Sequence, residues 1–591
     1  MTTYKIFGGG PGGLFTAWRL ATGGTLEAGD SIEVFEWGDF DFEGPGSGTR
    51  PPAGRICSYH HHNDPNQSYV EVGGMRFVEW KPATAQGHQL VTKTIRLVGL
   101  DGEVVPFNTT DDPLLYLRGK HQYQRHISAD NPVRYFTPGN NAAPADTLFG
   151  NISDLITGSN DLSTRAAQCS FYGTGVLPDS FNSFVYKPGE TVGNIGYWNV
   201  FYDQAANESY DYANDAGGYT SNVISWNAAD AAIYNGEFAP GGAFKTLSHG
   251  YSSLFSTLHA KTRAAAEAAG IGYSVTPRTR LQSIWVENNA IKYQTAPASD
   301  PYPPGGEPAE CDYAFLAMPP HSVELVARAT RHQDMTGKVD FLNAPNVQNY
   351  LESVLPQPSY KVAMFFESEW WMDATWAPRL INGKHSKHSQ NVFGPTITDL
   401  PLRQVYYFGN NAPGKPDKTV YGLLASYDDM QYTQFWQEMQ LSTSQRRTVA
   451  LSEDYQPLQG PREAPESMVN MLLLELAKVH YGDPDAAHRI PRPLETVFMN
   501  WGLNPFGAGY HAWASHYDIG DVMQQVRAPA HMAGTDANVF LTGSAFSNDQ
   551  AWVEGAFCTA ESVLVDFLGL ESIADTSRYP LICGSPRSQY S

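Results

Sequence analysis

Cysteine is scarce in this chain: five in 591 residues, Cys57, Cys169, Cys311, Cys558 and Cys583, with no CxxC or other metal-ligand spacing. That spacing excludes a zinc ribbon and shows no disulfide framework, so buried structural thiols and no metal are expected. Basic residues are also few, 39 Lys and Arg against 61 Asp and Glu, for a net charge of −22. Wide contact with phosphate backbones needs a basic surface, which argues against nucleic acid as a partner. The acidic excess reads as solubilising and carries no substrate signal. No apolar run approaches the ~18 residues that cross a bilayer, so no membrane partner is expected. A first strand starting near Tyr4 leaves no room for a basic, then apolar leader. The chain as given is expected to be cytoplasmic, and a removed leader would leave the same sequence.

An apolar fraction of 42% over this length supports several cores, and length alone suggests about three or four domains. The opening reads as strand 4–7, glycine loop, helix to about Ala21 and strand 31–37, a βαβ start. Residues 39–65 are rich in Gly, Pro, Asp and His; consecutive His60, His61 and His62 rarely converge on one ion, so this reads as a polar loop. Residues 146–238 shift to Asn, Asp, Ser and Tyr, the composition of an inserted subdomain. Beyond it come a helix 254–269 stopped by Gly270, a strand pair 281–286 and 290–294, and a Pro/Gly spacer 296–310. Strands 313–318, 361–367 and 420–427, a helix 468–481 stopped at Gly482, a strand 538–542 and a helix from about Trp552 to Leu568 complete the reading.

Gly8, Gly10 and Gly13 in GGGPGG, with Pro11 and Gly12 between, match GxGxxG between a strand and a helix, where a dinucleotide pyrophosphate meets the backbone and the helix N-terminus. Glu36 ends the second strand close to the spacing of about 20 residues at which a carboxylate accepts from the ribose hydroxyls, and disfavours a 2′-phosphate. FAD and NAD both satisfy this pattern.

Further motifs separate the two: PAGRI (52–56), EVGGMRF (71–77), KVAMFF (361–366), TDLPLRQVYYF (398–408), LLASY (423–427), NWGLNPFGAGY (500–510) and LTGSAFSNDQAWVEGA (541–556). In these motifs and their order the chain resembles the flavin-dependent amine oxidase family, and within it the L-amino-acid oxidases. The resemblance implies an α/β (mixed α+β) fold. It has a discontinuous Rossmann-type FAD-binding domain (1–58, 239–330, 531–575), a mixed-sheet substrate-binding domain (59–140, 331–530), a helical insertion (141–238) and a tail (576–591). For the cofactor it implies Arg55 at the pyrophosphate, the backbone at Leu281 against the adenine, and Gly73, Gly74, Met75 and Arg76 alongside the flavin. Gly543 belongs to this set, as does Ser544 where the family usually carries an acid. The helix at Val553 would point its N-terminus at the isoalloxazine. Covalent relatives carry a cysteine where this chain has Gly509, so FAD is expected to be non-covalent.

For the chemistry, the resemblance implies Arg76 as the cation for a substrate carboxylate, with Tyr427 as a second donor. Lys361 would reach flavin N5 through water, Trp501 and Trp552 would line the flavin and substrate cavity, the Ala551 carbonyl would accept from the substrate amine, and Tyr406 would flank the side-chain pocket. The expected activity is oxidation of an L-amino acid by O2 and water to 2-oxo acid, ammonia and hydrogen peroxide. Partners would be the amino acid, O2 and at most a second copy in a homodimer. An amine oxidase without carboxylate recognition, a decarboxylating monooxygenase and a non-catalytic flavoprotein are the alternatives. The preferred side chain is not legible, because the inserted region carries no motif.

Overall fold

A computed structural model describes residues 1–584 except 39–53, 111, 138–141, 206, 238–243, 299–305, 379–392, 414–418 and 441–459. The first two residues of the PAGRI motif, most of the polar loop, the middle of the Pro/Gly spacer and the end of the tail lie outside the described residues.

Five parallel strands form the first sheet, in spatial order Gly272–Thr276, Ser31–Phe35, Thr3–Phe7, Tyr313–Leu316 and Val539–Leu541. Their alternating or continuous apolar residues are those of a sheet covered on both faces. Helix Pro11–Thr22 packs on it beside helices Ser253–Ala269 and Val553–Leu568. Proline at the first helical position costs no hydrogen bond, and the turn before it rests on Gly8, whose φ of +117° is open to glycine. A Cβ there would sit 2.2 Å from the Ala317 carbonyl oxygen. The fingerprint turn is thereby wedged against the end of the neighbouring strand.

A second, eight-stranded sheet holds Ser359–Phe366 and Tyr421–Asp429 side by side, antiparallel. Every residue of Ser359–Phe366 is buried, so Lys361 is a core lysine and not the solvated head of a strand. The region read as an insertion is helical: Ala145–Thr157, Arg165–Thr174, Tyr197–Gln204, Asn207–Gly217 and Ala228–Glu237.

Three expectations change. Cys169 and Cys583 form a disulfide, while Cys57, Cys311 and Cys558 are buried free thiols. The bonded pair lies 414 residues apart, so no local spacing could announce it. Ala309 and Glu310, read as the end of the spacer, belong with Cys311 to an edge strand paired with Ile291–Tyr293. The His triplet is structured: Ser58–His60 is a strand, and positive φ at His62 and Asn63 turns the chain so that Glu495 takes His61 Nδ1 and the His62 N–H, both at 2.9 Å, and the Tyr59 hydroxyl at 2.7 Å. His61, His62 and Glu495 present ligand-type atoms within 4.8 Å of one another, and the carboxylate's three donors account for that cluster as a hydrogen-bonded corner.

Candidate active site

Three spaces adjoin one another, each sharing lining residues with the next. A cleft at the carboxyl ends of the parallel strands is lined by Gly8, Gly10, Glu36 and Leu281. Next to it, one cavity brings together Gly10, Pro11, Gly12, Arg55, Gly73, Gly74, Met75, Arg76, Lys361, Tyr427, Trp501, Gly543, Ser544, Ala551, Trp552 and Val553. Motifs more than 500 residues apart in sequence therefore face one volume. A third cavity of about 820 Å³ opens from it, sharing Arg76, Tyr219 and Trp552 and adding Tyr406. Gly13 faces none of the three; it packs the fingerprint helix on the loop below, as its Cβ would stand 1.9 Å from the Gly8 carbonyl oxygen.

In the cleft, both Glu36 oxygens accept backbone N–H groups, Gly9 at 2.6 Å and Gly38 at 2.7 Å, and burial raises the carboxyl above its ordinary value. Arg55 is held by the Gly509 carbonyl at 2.9 Å, and burial pushes its guanidinium down to about 10. Among the described residues, three buried polar atoms along these walls have no partner: Gln282 Oε1 in the cleft, Thr542 Oγ1 and the Tyr251 hydroxyl in the cavity. Such atoms are costly without a ligand. A Cβ on Gly54 would meet Gly10 Cα at 2.6 Å, so two glycine backbones leave open the space that a pyrophosphate needs. The residues present fit FAD. Gln282, Thr542, Tyr251 and Gly54 were not singled out in the sequence; Gly54 lies within PAGRI and Thr542 within LTGSAFSNDQAWVEGA, whereas Gln282 and Tyr251 lie in no motif.

In the cavity, Lys361 stands directly across from Tyr427 in the strand register, its ammonium 4.2 Å from that ring's centre. Nζ donates to the Gly73 carbonyl at 2.6 Å. Burial, with Arg76 adding to it, lowers the ammonium to about 7, and the same burial raises neighbouring Glu71 to about 7. Trp501 donates to the Val72 carbonyl at 2.7 Å, which locks its indole as a wall.

Arg76 is 9% exposed. Its guanidinium lies over Phe244 at 4.1 Å and Phe107 at 5.4 Å, and Phe244 stacks in turn on Trp552. Burial opposes its charge, but the hydroxyls of Tyr406, Tyr219 and Tyr427 around it outweigh burial and hold it above its ordinary value. No carboxylate among the described residues lies within ion-pair distance of it. Tyr406 is itself fixed through Gln404, which accepts from the Tyr406 hydroxyl at 3.1 Å and donates to the Gly218 carbonyl at 3.0 Å. Tyr219, beside Gly218, comes from the insertion and was missed; it sits in no motif and reaches Arg76 only through the fold.

No protein-family model matches the chain. An uncharacterised protein of Acanthamoeba polyphaga mimivirus is 22% identical over 583 residues, 97% of this chain and 95% of that protein. A provisionally named bifunctional amine oxidase of Dictyostelium discoideum is 23% identical over 236 residues, 39% of this chain but 18% of that longer protein. Among solved structures, a putrescine oxidase with putrescine bound superposes with a TM-score of 0.57 at 12% identity, over 96% of this chain and 98% of the other. A provisionally named protoporphyrinogen oxidase of Exiguobacterium gives 0.50 at 13% identity, over 95% and 98%. These likenesses define the class at the level of architecture: the chain has the mixed α/β fold of these two oxidase structures. The particular chemistry rests on the site.

Proposed function

We propose that this protein is an FAD-dependent L-amino-acid oxidase, holding FAD non-covalently. The observation that carries the reading is Arg76, a buried cation with no carboxylate partner among the described residues, facing the cavity that Lys361 and Trp501 line. A charge left alone in such a place is strongly unfavourable, and a substrate carboxylate meets the guanidinium fork in two parallel bonds.

When bound, FAD supplies the acceptor for the hydride of the carbon that bears the amine. The chain's own residues do the rest. Arg76, with the Tyr427 and Tyr219 hydroxyls beside it, anchors the carboxylate and so fixes the position of the reacting carbon. The Ala551 carbonyl accepts from the amine; Ala551 is held at a φ of +69°, a strained conformation for alanine that the surrounding loop enforces. Trp501, Trp552 and Phe244 exclude water. Lys361, titrating near neutrality, exchanges a proton with a water in the cavity. The products are 2-oxo acid, ammonia and hydrogen peroxide, formed from the amino acid, O2 and water.

The shared fold with a putrescine oxidase supports a second reading, an amine oxidase that ignores the carboxylate. Peroxide release measured across the twenty L-amino acids and their decarboxylated amines decides between them. The first reading expects turnover with amino acids and little with the matching amines; equal turnover of an amine and its amino acid overturns it.

A further inference from the structure

The helical insertion meets the flavin-facing loop through the helix Arg165–Thr174. Three residues at i, i+3 and i+4 share a face of it. Arg165, 5% exposed, pairs with the Asp549 carboxylate, donates to Cys558 Sγ at 3.1 Å and lies 3.9 Å over the Tyr579 ring. Gln168 Oε1 accepts from the Asn548 amide at 3.2 Å. Cys169 is bonded to Cys583, whose sulfur also lies 3.4 Å from Asn548 Oδ1. All three side chains thus converge on residues 548–549, on the closing helix and on the tail.

That segment leads straight into the site. The Asp549 carbonyl accepts the Trp552 N–H at 3.2 Å, and between them lies Ala551 with its positive φ. Arg165, Gln168, Asp549, Trp552 and Tyr579 line the 820 Å³ cavity that Arg76 also faces. A buried ion pair contributes little to stability over apolar residues of the same size, but it orients what it holds, and what this one holds is the loop that bears Ala551 and Trp552.

We propose that Arg165 is a positioning residue for the Ala551–Trp552 loop, and that the Cys169–Cys583 disulfide is a redox-sensitive pin on the same contact, so that its reduction weakens substrate binding. The inference rests on the reading of these cavities as the flavin and substrate site. Reduction needs a dithiol: one thiolate attacks a cysteine sulfur to form a mixed disulfide, the second displaces it, and two protein thiols and the oxidised dithiol result. An oxidising compartment keeps the pin closed and a reducing one opens it.

The test uses the yellow holoenzyme. Steady-state kinetics with its best L-amino acid and the flavin absorption spectrum are recorded for the parent, for the parent reduced by dithiothreitol and freed of reagent, and for Cys169→Ser, Arg165→Met and Arg165→Lys. Reduction and Cys169→Ser should each raise KM by about fivefold or more with kcat within about twofold, and dithiothreitol should not change Cys169→Ser further. Arg165→Met should raise KM by about tenfold or more and shift the flavin spectrum, with Arg165→Lys recovering part because it retains the charge opposite Asp549. Should Arg165→Met not fold, Arg165→Lys decides: parental KM and spectrum in it overturn the positioning role, as they do in Arg165→Met. An unchanged KM in the reduced parent, or an intact mass of the untreated protein that corresponds to five free thiols and not three, overturns the pin. If no L-amino acid is turned over, the amino-acid reading fails, and the flavin spectra of the Arg165 variants still decide the positioning role.

Discussion

Arg76 and Lys361 are both buried cations, and they differ in what relieves them. Arg76 keeps its charge among tyrosine hydroxyls, whereas burial brings Lys361 down to about 7. Removing one member of a buried charge pair costs about 3 to 5 kcal/mol. Arg76→Ala should therefore lower kcat/KM for the best amino acid on the order of a hundred- to a few-thousand-fold while FAD stays bound, and Arg76→Lys should recover only part. Steady-state kinetics with flavin quantitation checks this, and a parental kcat/KM in Arg76→Ala would remove the carboxylate role. Lys361 gives a prediction in pH. Its ammonium binds fewer protons folded than unfolded between about 7 and the ordinary 10.5, so its burial is most unfavourable at and below about pH 7 and costs nothing once pH passes 10.5. Lys361→Met should raise the thermal midpoint over the parent most at pH 7 or below, with the gain shrinking by pH 10. The same variant should slow flavin reduction or reoxidation in stopped flow while substrate binding persists. A gain that grows with pH, or two unchanged half-reactions, would remove Lys361 from each account in turn.

At the scale of elements, the fingerprint turn and the Gly54 approach make one cradle from two loops. Gly54→Val, with φ at +66° and Gly10 in the way of its Cβ, should yield a folded but colourless protein; an unchanged ratio of flavin to protein absorbance would show that the cradle is not at the pyrophosphate. Non-covalent attachment predicts that acid releases the colour as free FAD, since Gly509 offers no sulfur. The fingerprint turn was legible because strand, glycine turn and helix follow each other within about 20 residues, whereas the approach of Gly54 to it was not. The edge strand Ala309–Cys311 was not, because it is short, half exposed and defined by its pairing rather than by its composition. Tyr219 escaped for a related reason: it gains its place by the hydrogen bonds that dock the following turn, Thr220 N–H and Ser221 N–H to Asp429 at 3.0 and 2.9 Å.

For the whole molecule, the proposed cofactor site draws on residues from Gly8 to Val553, so a ligand there would tie together parts that otherwise meet only through packing. Removing FAD should lower the thermal midpoint by several degrees, and added FAD should restore it in a concentration-dependent way; an apoprotein as stable as the holoenzyme would argue that the site is not FAD's. By itself the sequence determined the strand, glycine turn and helix of the fingerprint, the paired strands and the motif residues that line the cavity, because each rests on local periodicity or on a short run whose residues act together. Only the tertiary structure decided that Lys361 faces Tyr427, that Tyr219 closes over Arg76, and that Cys169 meets Cys583. Those contacts join residues tens to hundreds of positions apart, and burial, charge and bonding between them exist only once the two sheets and the insertion have packed.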